Sequence, residues 1–458
     1  MKRKRTGLLK KVQWRAECIA FLVLERVLHL VPLASLWRAG TALSGLARFL
    51  PSRRRIVRSN LRTVLGPGAS KEEIESLTRN VFRHTAANLL TSLKGAHMPL
   101  EEIRSALQIE QQEVAERALS RKKGILILIP HMGNWEFLAQ AMAAFRPDIK
   151  IAAVYRPLNN IYLDKVLRER REKNGMKLFA KLRSYHAPIR FLKDKQSLGL
   201  LVDQRAGQVG TRTPFFGRLM SMTPLPAFIQ RRTGCPVIGI SMRTSAPGRW
   251  TLKFHEPSQR EDETFTVAHM AALIEEVIGE SVVDEFWMQD LWRINKYRPL
   301  ELSGKTGPVR LARDRDKPLH PFSVLVRAPD QPERFAETIP ALSALAASRP
   351  DMDLHLFARE IIRQPAAEAG VRHAFHPLED DRLPEFLEFA IVLTGRELAA
   401  RELARLYSGP IYCPPVTAQS RHTWFPMAVD ESLPADQRWL QTLRSLGMHD
   451  PPVEWEYV

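Results

Sequence analysis

The feature that most constrains this chain is the alternation of short apolar segments with longer amphipathic ones from Gly124 onward. Runs such as GILILIP and SLGLLVDQR have the length and composition of buried strands. Segments such as IYLDKVLRERREKNG have the length and periodicity of helices. Strands that alternate with helices predict an α/β fold.

A polar segment at residues 301–317 interrupts this alternation, which then restarts. The segment combines Gly and Pro with charges of both signs, as linkers do. At 458 residues the chain is long enough for two or three domains. We therefore predict N-terminal helices at 1–50, a central α/β domain at 51–304, and a smaller open α/β domain at 318–458.

Charge divides the chain in a similar way. The net charge is +18, yet the part from Lys305 onward holds 18 basic and 22 acidic residues. That leaves 50 basic and 28 acidic residues before it, a net charge of about +22. A basic surface suits nucleic acid, anionic lipid or an acidic protein. Zinc-finger spacing and aromatic RNP-type strands are missing from the sequence, so we expect no nucleic-acid partner.

The three cysteines, Cys18, Cys235 and Cys413, are far apart and form no CxxC motif. This pattern argues against a disulfide framework and against a structural zinc site.

The N-terminus begins with the basic segment MKRKRTGLLKKVQWR, and an apolar run follows that Glu17, Glu25 and Arg26 interrupt. A membrane-spanning helix needs roughly 20 mainly apolar residues, so this run is marginal. It fits an amphipathic helix in the membrane interface or a weakly hydrophobic anchor with its basic head in the cytoplasm. An ordinary core helix is the third alternative. We expect membrane association and leave spanning open.

The first strand of the central domain ends on Pro130 and His131, and Glu136 follows in the first turn of the next helix. Reactive groups in open α/β sheets collect at the carboxyl ends of strands. A five-residue separation across a turn can bring a carboxylate to an imidazole, which could then take a proton from a hydroxyl group. The alternative is a structural histidine followed by a helix-cap glutamate.

Covalent catalysis is not expected, because the sequence has no GxSxG motif and no cysteine near His131. The HxxxxE spacing lacks the second histidine of a zinc-binding helix. We therefore expect neither a metal nor another cofactor.

The segment HMGNWE resembles the HxxxxE/D motif of the membrane-bound acyltransferases that complete lipid A, the lauroyl/myristoyl transferase family. Further segments resemble that family in the same order and extend the resemblance over about residues 10–300. They are RRRIVRSNL, VYRPLNNIYLDKVLRERREKNG, LVDQRAGQVGTRTPFFGRLMSMTPLPAFIQRRTGCPVI and DEFWMQDLWRINKYRP.

The resemblance implies a mixed sheet flanked by helices, as in glycerolipid acyltransferases, with membrane-associated N-terminal helices. It implies an O-acyltransferase that acts without an acyl-enzyme at the cytoplasmic face of the bacterial inner membrane. The donor would be acyl carrier protein, or less often coenzyme A. The acceptor would be a hydroxyl of a lipid A precursor, in lipopolysaccharide biosynthesis. His131 would be the general base and Glu136 the acid that orients it.

Five further residues are carried over as substrate-binding candidates. Arg156 and Arg171 would contact anionic groups or the transition state, and Arg170 is a candidate because it adjoins Arg171. Asp203 would lie close to the thioester or the acceptor, and Asn134 would orient its loop or contact the substrate. The alternatives are a solvated helix face for the two adjacent arginines, a loop-capping role for Asp203, and loop structure for Asn134.

Two other functions stay open at this point: an acyltransferase for another glycolipid, and a non-catalytic membrane scaffold. The family typically ends near residue 300, and about 150 residues follow here. Their pattern resembles half of a two-lobed glycosyltransferase but lacks a Gly-rich nucleotide-binding loop. We interpret this part as a binding or regulatory module.

Overall fold

The computed structural model describes residues 7–457 except 67, 96, 147, 181–184, 208–209, 259–262, 303–308, 312–318, 381, 385, 396, 416–422 and 450–454. The chain divides into two compact units, one of residues 1–292 with 312–314 and one of residues 293–311 with 315–458. Most of the predicted linker, residues 301–317, lies outside the described residues.

The first unit opens with helices: α1 (Leu8–His29), α2 (Leu33–Leu43), a 3-10 helix (Ser44–Phe49), α3 (Pro51–Leu65), α4 (Lys71–Gly95) and α5 (Leu100–Ala106). Ser70 caps α4, because its hydroxyl accepts a hydrogen bond from the Glu73 N–H at 3.1 Å. Gly40 lets α2 approach α4 closely, since a Cβ there would lie 2.5 Å from the Cα of Ala87. Within the described part of the chain, every helix is too short or too polar to cross a membrane.

Strands and helices then alternate through the rest of the unit. They are β1 (Leu107–Glu110), α6 (Gln112–Ser120), β2 (Leu126–Ile129), a 3-10 helix (Trp135–Phe137), α7 (Leu138–Phe145), β3 (Ile151–Tyr155), α8 (Ile161–Glu172), β4 (Lys177–Ala180), α9 (His186–Lys193), β5 (Ser197–Leu201), β6 (Thr211–Phe215), β7 (Arg218–Met222), α10 (Leu225–Thr233), β8 (Val237–Ala246), β9 (Arg249–His255), α11 (Val267–Gly279) and a 3-10 turn (Val282–Asp284).

Seven of these strands form one mixed sheet in the order β1-β9-β8-β2-β5-β3-β4. The five strands from β8 to β4 in that order run parallel to one another, β9 is antiparallel to β8, and β1 is parallel to β9. Strands β6 and β7 form a separate antiparallel pairing. The predicted α/β fold with a mixed sheet is therefore confirmed.

Strand β2 is buried on both faces, which explains why it reads as a continuous apolar run. Leu126 and Leu128 of β2 pack in the core cluster that contains Leu273 and Val277 of α11. Ile127, which points to the opposite face, belongs to a second core cluster with residues of α5 and β9. Strand β2 is thus held at the centre of the unit.

The second unit contains β10 (Val309–Leu311), β11 (Phe322–Arg327), α12 (Pro332–Ala336), α13 (Ile339–Ala347), β12 (Met352–Ala358), a 3-10 turn (Glu360–Ile362), α14 (Arg363–Glu368), β13 (Ala374–Pro377), a 3-10 turn (Leu378–Asp380), β14 (Phe389–Val392), α15 (Glu397–Leu406), β15 (Ile411–Cys413), β16 (Trp424–Pro426), α16 (Ala435–Ser445) and β17 (Trp455–Tyr457). Six strands form an all-parallel sheet in the order β13-β12-β11-β14-β15-β16. This is the strand order of a doubly wound fold.

A buried polar cluster around Asp284 joins α4, β8 and the 3-10 turn at 282–284. The carboxylate accepts hydrogen bonds from the backbone N–H and hydroxyl of Thr244 at 2.8 and 2.6 Å, and from Ser281 at 2.7 Å. It also lies 2.8 Å from His84 Nδ1 and 3.2 Å from Asn88 Nδ2. Burial raises the pKa of Asp284, but the contacts with His84 and Thr244 outweigh burial and hold it below its ordinary value.

We predict that Asp284→Asn lowers the free energy of unfolding by about 3 kcal/mol at pH 7, because it removes a buried, fully bonded charge. The pKa of Asp284 is lowered in the folded chain, so its stabilisation is present above the unfolded pKa of about 3.9 and is lost as the pH falls. Urea unfolding of both proteins should show a difference at pH 7 that shrinks in acid. Asp148→Asn, at an exposed ion pair, is the control and should leave the free energy of unfolding nearly unchanged.

Candidate active site

His131 lies two residues beyond the end of β2, in a turn that contacts the backbone of β8 and of the segment 284–286. Gly133 has a φ of +57°, and a Cβ at this position would lie 2.0 Å from the carbonyl oxygen of Met242. The Gly133 N–H donates to the Asp284 carbonyl at 2.8 Å, and the Phe286 N–H donates to the His131 carbonyl at 2.9 Å. The segment 284–286 therefore fixes the backbone on which the imidazole is carried.

The imidazole of His131 pairs with Asp203, which follows the neighbouring strand β5. Ile129 of β2 is the register partner of Leu201 in β5, and both side chains lie two residues beyond these partners. They therefore reach the same level of the sheet. His131 Nδ1 lies 2.7 Å from Oδ1 and 2.9 Å from Oδ2 of Asp203, whose exposed fraction is 3%. Nδ1 donates its hydrogen to the carboxylate.

The other ring nitrogen, Nε2, is left to accept a proton. The Gln204 side-chain amide lies 3.1 Å from it, and Gln204 is exposed. Trp135 packs edge-on against the imidazole at a centroid distance of 5.3 Å. Burial lowers the pKa of His131, but the charge and hydrogen bond of Asp203 and the charge of Glu136 outweigh burial and raise it above its ordinary value.

The orienting acid expected from the HxxxxE spacing needs correction. The hydrogen bond at His131 Nδ1 goes to Asp203, whereas both carboxylate oxygens of Glu136 bind the guanidinium of Arg171, with a distance of 2.9 Å at Nε. The five-residue separation places Glu136 near the imidazole, where its charge acts on the pKa of His131. Its hydrogen-bonding partner is nevertheless the arginine.

The two adjacent arginines of α8 have different environments. Arg171 lies in the site through its paired contacts with Glu136. Arg170 instead binds Glu25 of α1, and its guanidinium lies over the ring of Phe21 at 5.0 Å. Glu25 has an exposed fraction of only 3%. These contacts favour a role for Arg170 in anchoring α1 over its predicted contact with the substrate.

Arg156 and Asn134, two further candidates, lie in opposite environments. Arg156 follows β3, next to β5 in the sheet, is exposed, and has no hydrogen bond or ion pair with another described residue. Asn134 is 1% exposed and donates to the Thr91 hydroxyl at 3.3 Å, while its backbone carbonyl accepts from the Phe137 N–H. These contacts favour the loop role for Asn134.

Sequence reasoning missed Glu285 and Gln204. Glu285 is 1% exposed, and burial together with the neighbouring Asp203 carboxyl group raises its pKa. The signal in the sequence is the pair of consecutive acids in VVDEFW, which stand among apolar residues. That pattern does not indicate which strand end the acids approach.

A histidine whose Nδ1 is bound to a carboxylate can act as a general base toward a hydroxyl or similar group. The model of the bacterial lipid A biosynthesis acyltransferases matches residues 1–294. The chain belongs to this family: it is an enzyme of lipid A biosynthesis that transfers acyl groups to a lipid acceptor. The match ends close to the start of the second unit. A search of curated proteins gave no match.

We predict that His131 titrates above about 6.5 in the wild type, and that Asp203→Asn lowers this pKa more than Glu136→Gln does. Asp203 contributes both a charge and a hydrogen bond, whereas Glu136 contributes charge alone. Since the base must be neutral, activity should rise with pH through this pKa. Histidine NMR titration, with the signal assigned through His131→Gln, measures the three values. A larger fall in Glu136→Gln would contradict the assignment of Asp203 as the main partner.

Proposed function

We propose that this chain transfers a fatty acyl group from the thioester of acyl carrier protein to a hydroxyl group of a lipid A precursor, with His131 as the general base. The observation that carries the proposal is the His131–Asp203 pair, at the ends of two adjacent parallel strands, with Nε2 directed away from the carboxylate. The family match supplies acyl transfer, and the geometry supports a base that needs no protein nucleophile.

In the proposed reaction, the acceptor hydroxyl takes the place of the Gln204 amide at His131 Nε2. Its oxygen attacks the thioester carbonyl while Nε2 takes its proton, and a tetrahedral intermediate forms. The carbon–sulfur bond then breaks, and the imidazolium returns the proton to the leaving sulfur. The products are an ester and a free thiol. Asp203 stabilises the imidazolium between these steps, and the nearby charge of Glu136 contributes to the same effect.

Arginine is suited to the phosphates of a lipid A precursor, because guanidinium binds such groups through two parallel hydrogen bonds. Arg156 fits this role best, since it is exposed beside the strand that carries Asp203 and has no partner among the described residues. Arg171 would have to share its guanidinium with Glu136. We propose Arg156 as the first contact of the acceptor.

The donor assignment rests on charge. The chain before Lys305 carries a net charge of about +22, and acyl carrier proteins are acidic. Complementary charge of this kind speeds encounter between proteins and selects partners.

We further propose that α1 lies in the membrane interface at the cytoplasmic face of the inner membrane. Five apolar residues of α1, and Leu30 just after it, are more than half exposed. They recur every three to seven positions along one face of the helix: Leu8, Val12, Ile19, Val23, Val27 and Leu30. Leu43, Leu46 and Phe49 of the following helices are also more than half exposed. A helix of this kind buries its apolar face at the boundary of the acyl chains. The contact between Arg170 and Glu25 holds α1 against α8.

His131→Ala should reduce acyl transfer by about 10²–10⁴-fold, the range that a general base contributes. Detergent-solubilised protein is given a labelled acyl carrier protein thioester and a lipid A precursor, and the acylated lipid is counted. His373→Ala in the second unit is the matched control, and circular dichroism checks that both variants fold.

Two results would contradict the proposal. Equal transfer by wild type and His131→Ala would remove the assigned base. No transfer by folded wild type, with several glycolipid acceptors and coenzyme A thioesters also tried, would favour a non-catalytic scaffold.

Replacing both Ile19 and Val23 with glutamate should reduce binding to anionic phospholipid vesicles by at least about tenfold, because two charges enter the apolar face. Their exposed fractions are 61% and 60%. Leu398→Glu, at a leucine of α15 that is 63% exposed, is the control and should bind like the wild type. Sedimentation with vesicles measures the bound fraction. An equal loss in both variants would contradict an interface at α1.

A further inference from the structure

A second carboxyl group, that of Glu285, lies behind the His131–Asp203 pair. Its exposed fraction is 1%, and Asp203 is the neighbouring side chain that, after burial, raises its pKa. No described group donates to its Oε2. Two carboxyl groups in contact can share a hydrogen bond only if one of them carries a proton.

The neighbouring acid shows what an ionised carboxylate looks like in this segment. Asp284 receives hydrogen bonds from Thr244, Ser281 and Asn88 and contacts His84, whereas Glu285 receives none from side chains. The two pKa values move in opposite directions. That of Asp284 is lowered. Burial, together with the adjacent Asp203, raises that of Glu285 well above its ordinary value and outweighs the opposing effect of the Phe286 backbone N–H.

Asp203 is the titratable group that acts on Glu285, and further titratable groups lie beside Asp203 and Asp284. His131 and Asp203 lie at the ends of β2 and β5, and Glu136 adds a further negative charge on the 3-10 helix after β2. His84 of α4 is occupied by Asp284. An ionised Glu285 would therefore face the charge of Asp203 in a buried setting without a cation of its own, which is costly.

We propose that Glu285 stays protonated and donates its carboxyl O–H to Asp203, so that it acts as a positioning residue for the carboxylate that holds His131. The inference rests on the proposed role of His131 as the base. The backbone supports it, because Met132 and Glu285 form an antiparallel bridge and the Phe286 N–H donates to the His131 carbonyl. The backbone of Glu285 is thus fixed to that of the turn that carries His131.

The first experiment needs no acyl transfer. The melting temperatures of wild type and Glu285→Gln are compared between pH 5 and pH 8. If Glu285 is neutral in the folded chain, the wild type loses stability as the pH rises above the unfolded pKa of about 4.3, because only the unfolded chain ionises. Glutamine does not ionise in either state, so the variant lacks this loss of stability. Its melting temperature relative to the wild type should therefore rise steadily with pH.

Glu113→Gln is the matched control, since Glu113 is exposed on α6 and its difference from the wild type should stay constant over the same range. A constant difference for Glu285→Gln as well would overturn the proposal, because it would mean that Glu285 is ionised in both states.

The second experiment tests the positioning role through the pH profile of kcat/KM. Glu285→Gln keeps a donor of the same shape, so its turnover should stay within about threefold and its profile should not move. Glu285→Leu removes the donor, and turnover should fall about tenfold, the worth of one buried hydrogen bond. Without that donor, Asp203 attracts the His131 proton more strongly, and the acid limb should move to higher pH.

Equal loss in Glu285→Gln and Glu285→Leu would show that the donated hydrogen is not needed and would overturn the positioning role. A shift of the acid limb to lower pH in Glu285→Gln would show that a charge had been removed. If the wild type transfers no acyl group, the proposed function fails. The melting experiment still decides whether Glu285 holds a proton.

Discussion

The parallel pairing of β2 with β5 is the constraint on which the site depends. It sets Ile129 beside Leu201, and the two chains then leave the sheet together, so that His131 and Asp203 meet two residues later. The pairing is secure because Leu126 and Leu128 of β2 share one core cluster with Leu198 and Leu200 of β5, and a slip of one residue would turn a strand's side chains away from it. The geometry of the His131–Asp203 pair is here a consequence of sheet register.

Adjacent acids in this protein have different chemistry because they have different neighbours. Asp284 lies among donors and serves as an ionised centre that joins α4, β8 and the turn at 282–284. Glu285 lies against another carboxyl group and is driven toward its neutral form. The same division explains Arg170 and Arg171, of which one binds Glu25 of α1 and the other binds Glu136 near His131. Burial and partners, not residue type, set each role.

The second unit has a complete core of its own around an all-parallel sheet. At the end of β11 the guanidinium of Arg327, 1% exposed, lies 2.9 Å from Asp330 and 3.3 Å from Glu402. These ion pairs join β11 to α15 within the unit. A buried arginine bound by two acids supports the sheet end at which doubly wound folds hold their ligands.

Local patterns in the sequence predicted the α/β class, the histidine at a strand end and a helix at the N-terminus, because these depend on periodicity over a few residues. The sequence did not determine the partner of His131. The spacing pointed to Glu136, five residues away, whereas the hydrogen bond goes to Asp203, 72 residues away along the chain. Nor could it place Glu285 or separate Arg170 from Arg171. Those assignments depend on strand order, register and helix packing, which bring distant residues together and leave no local pattern in the chain.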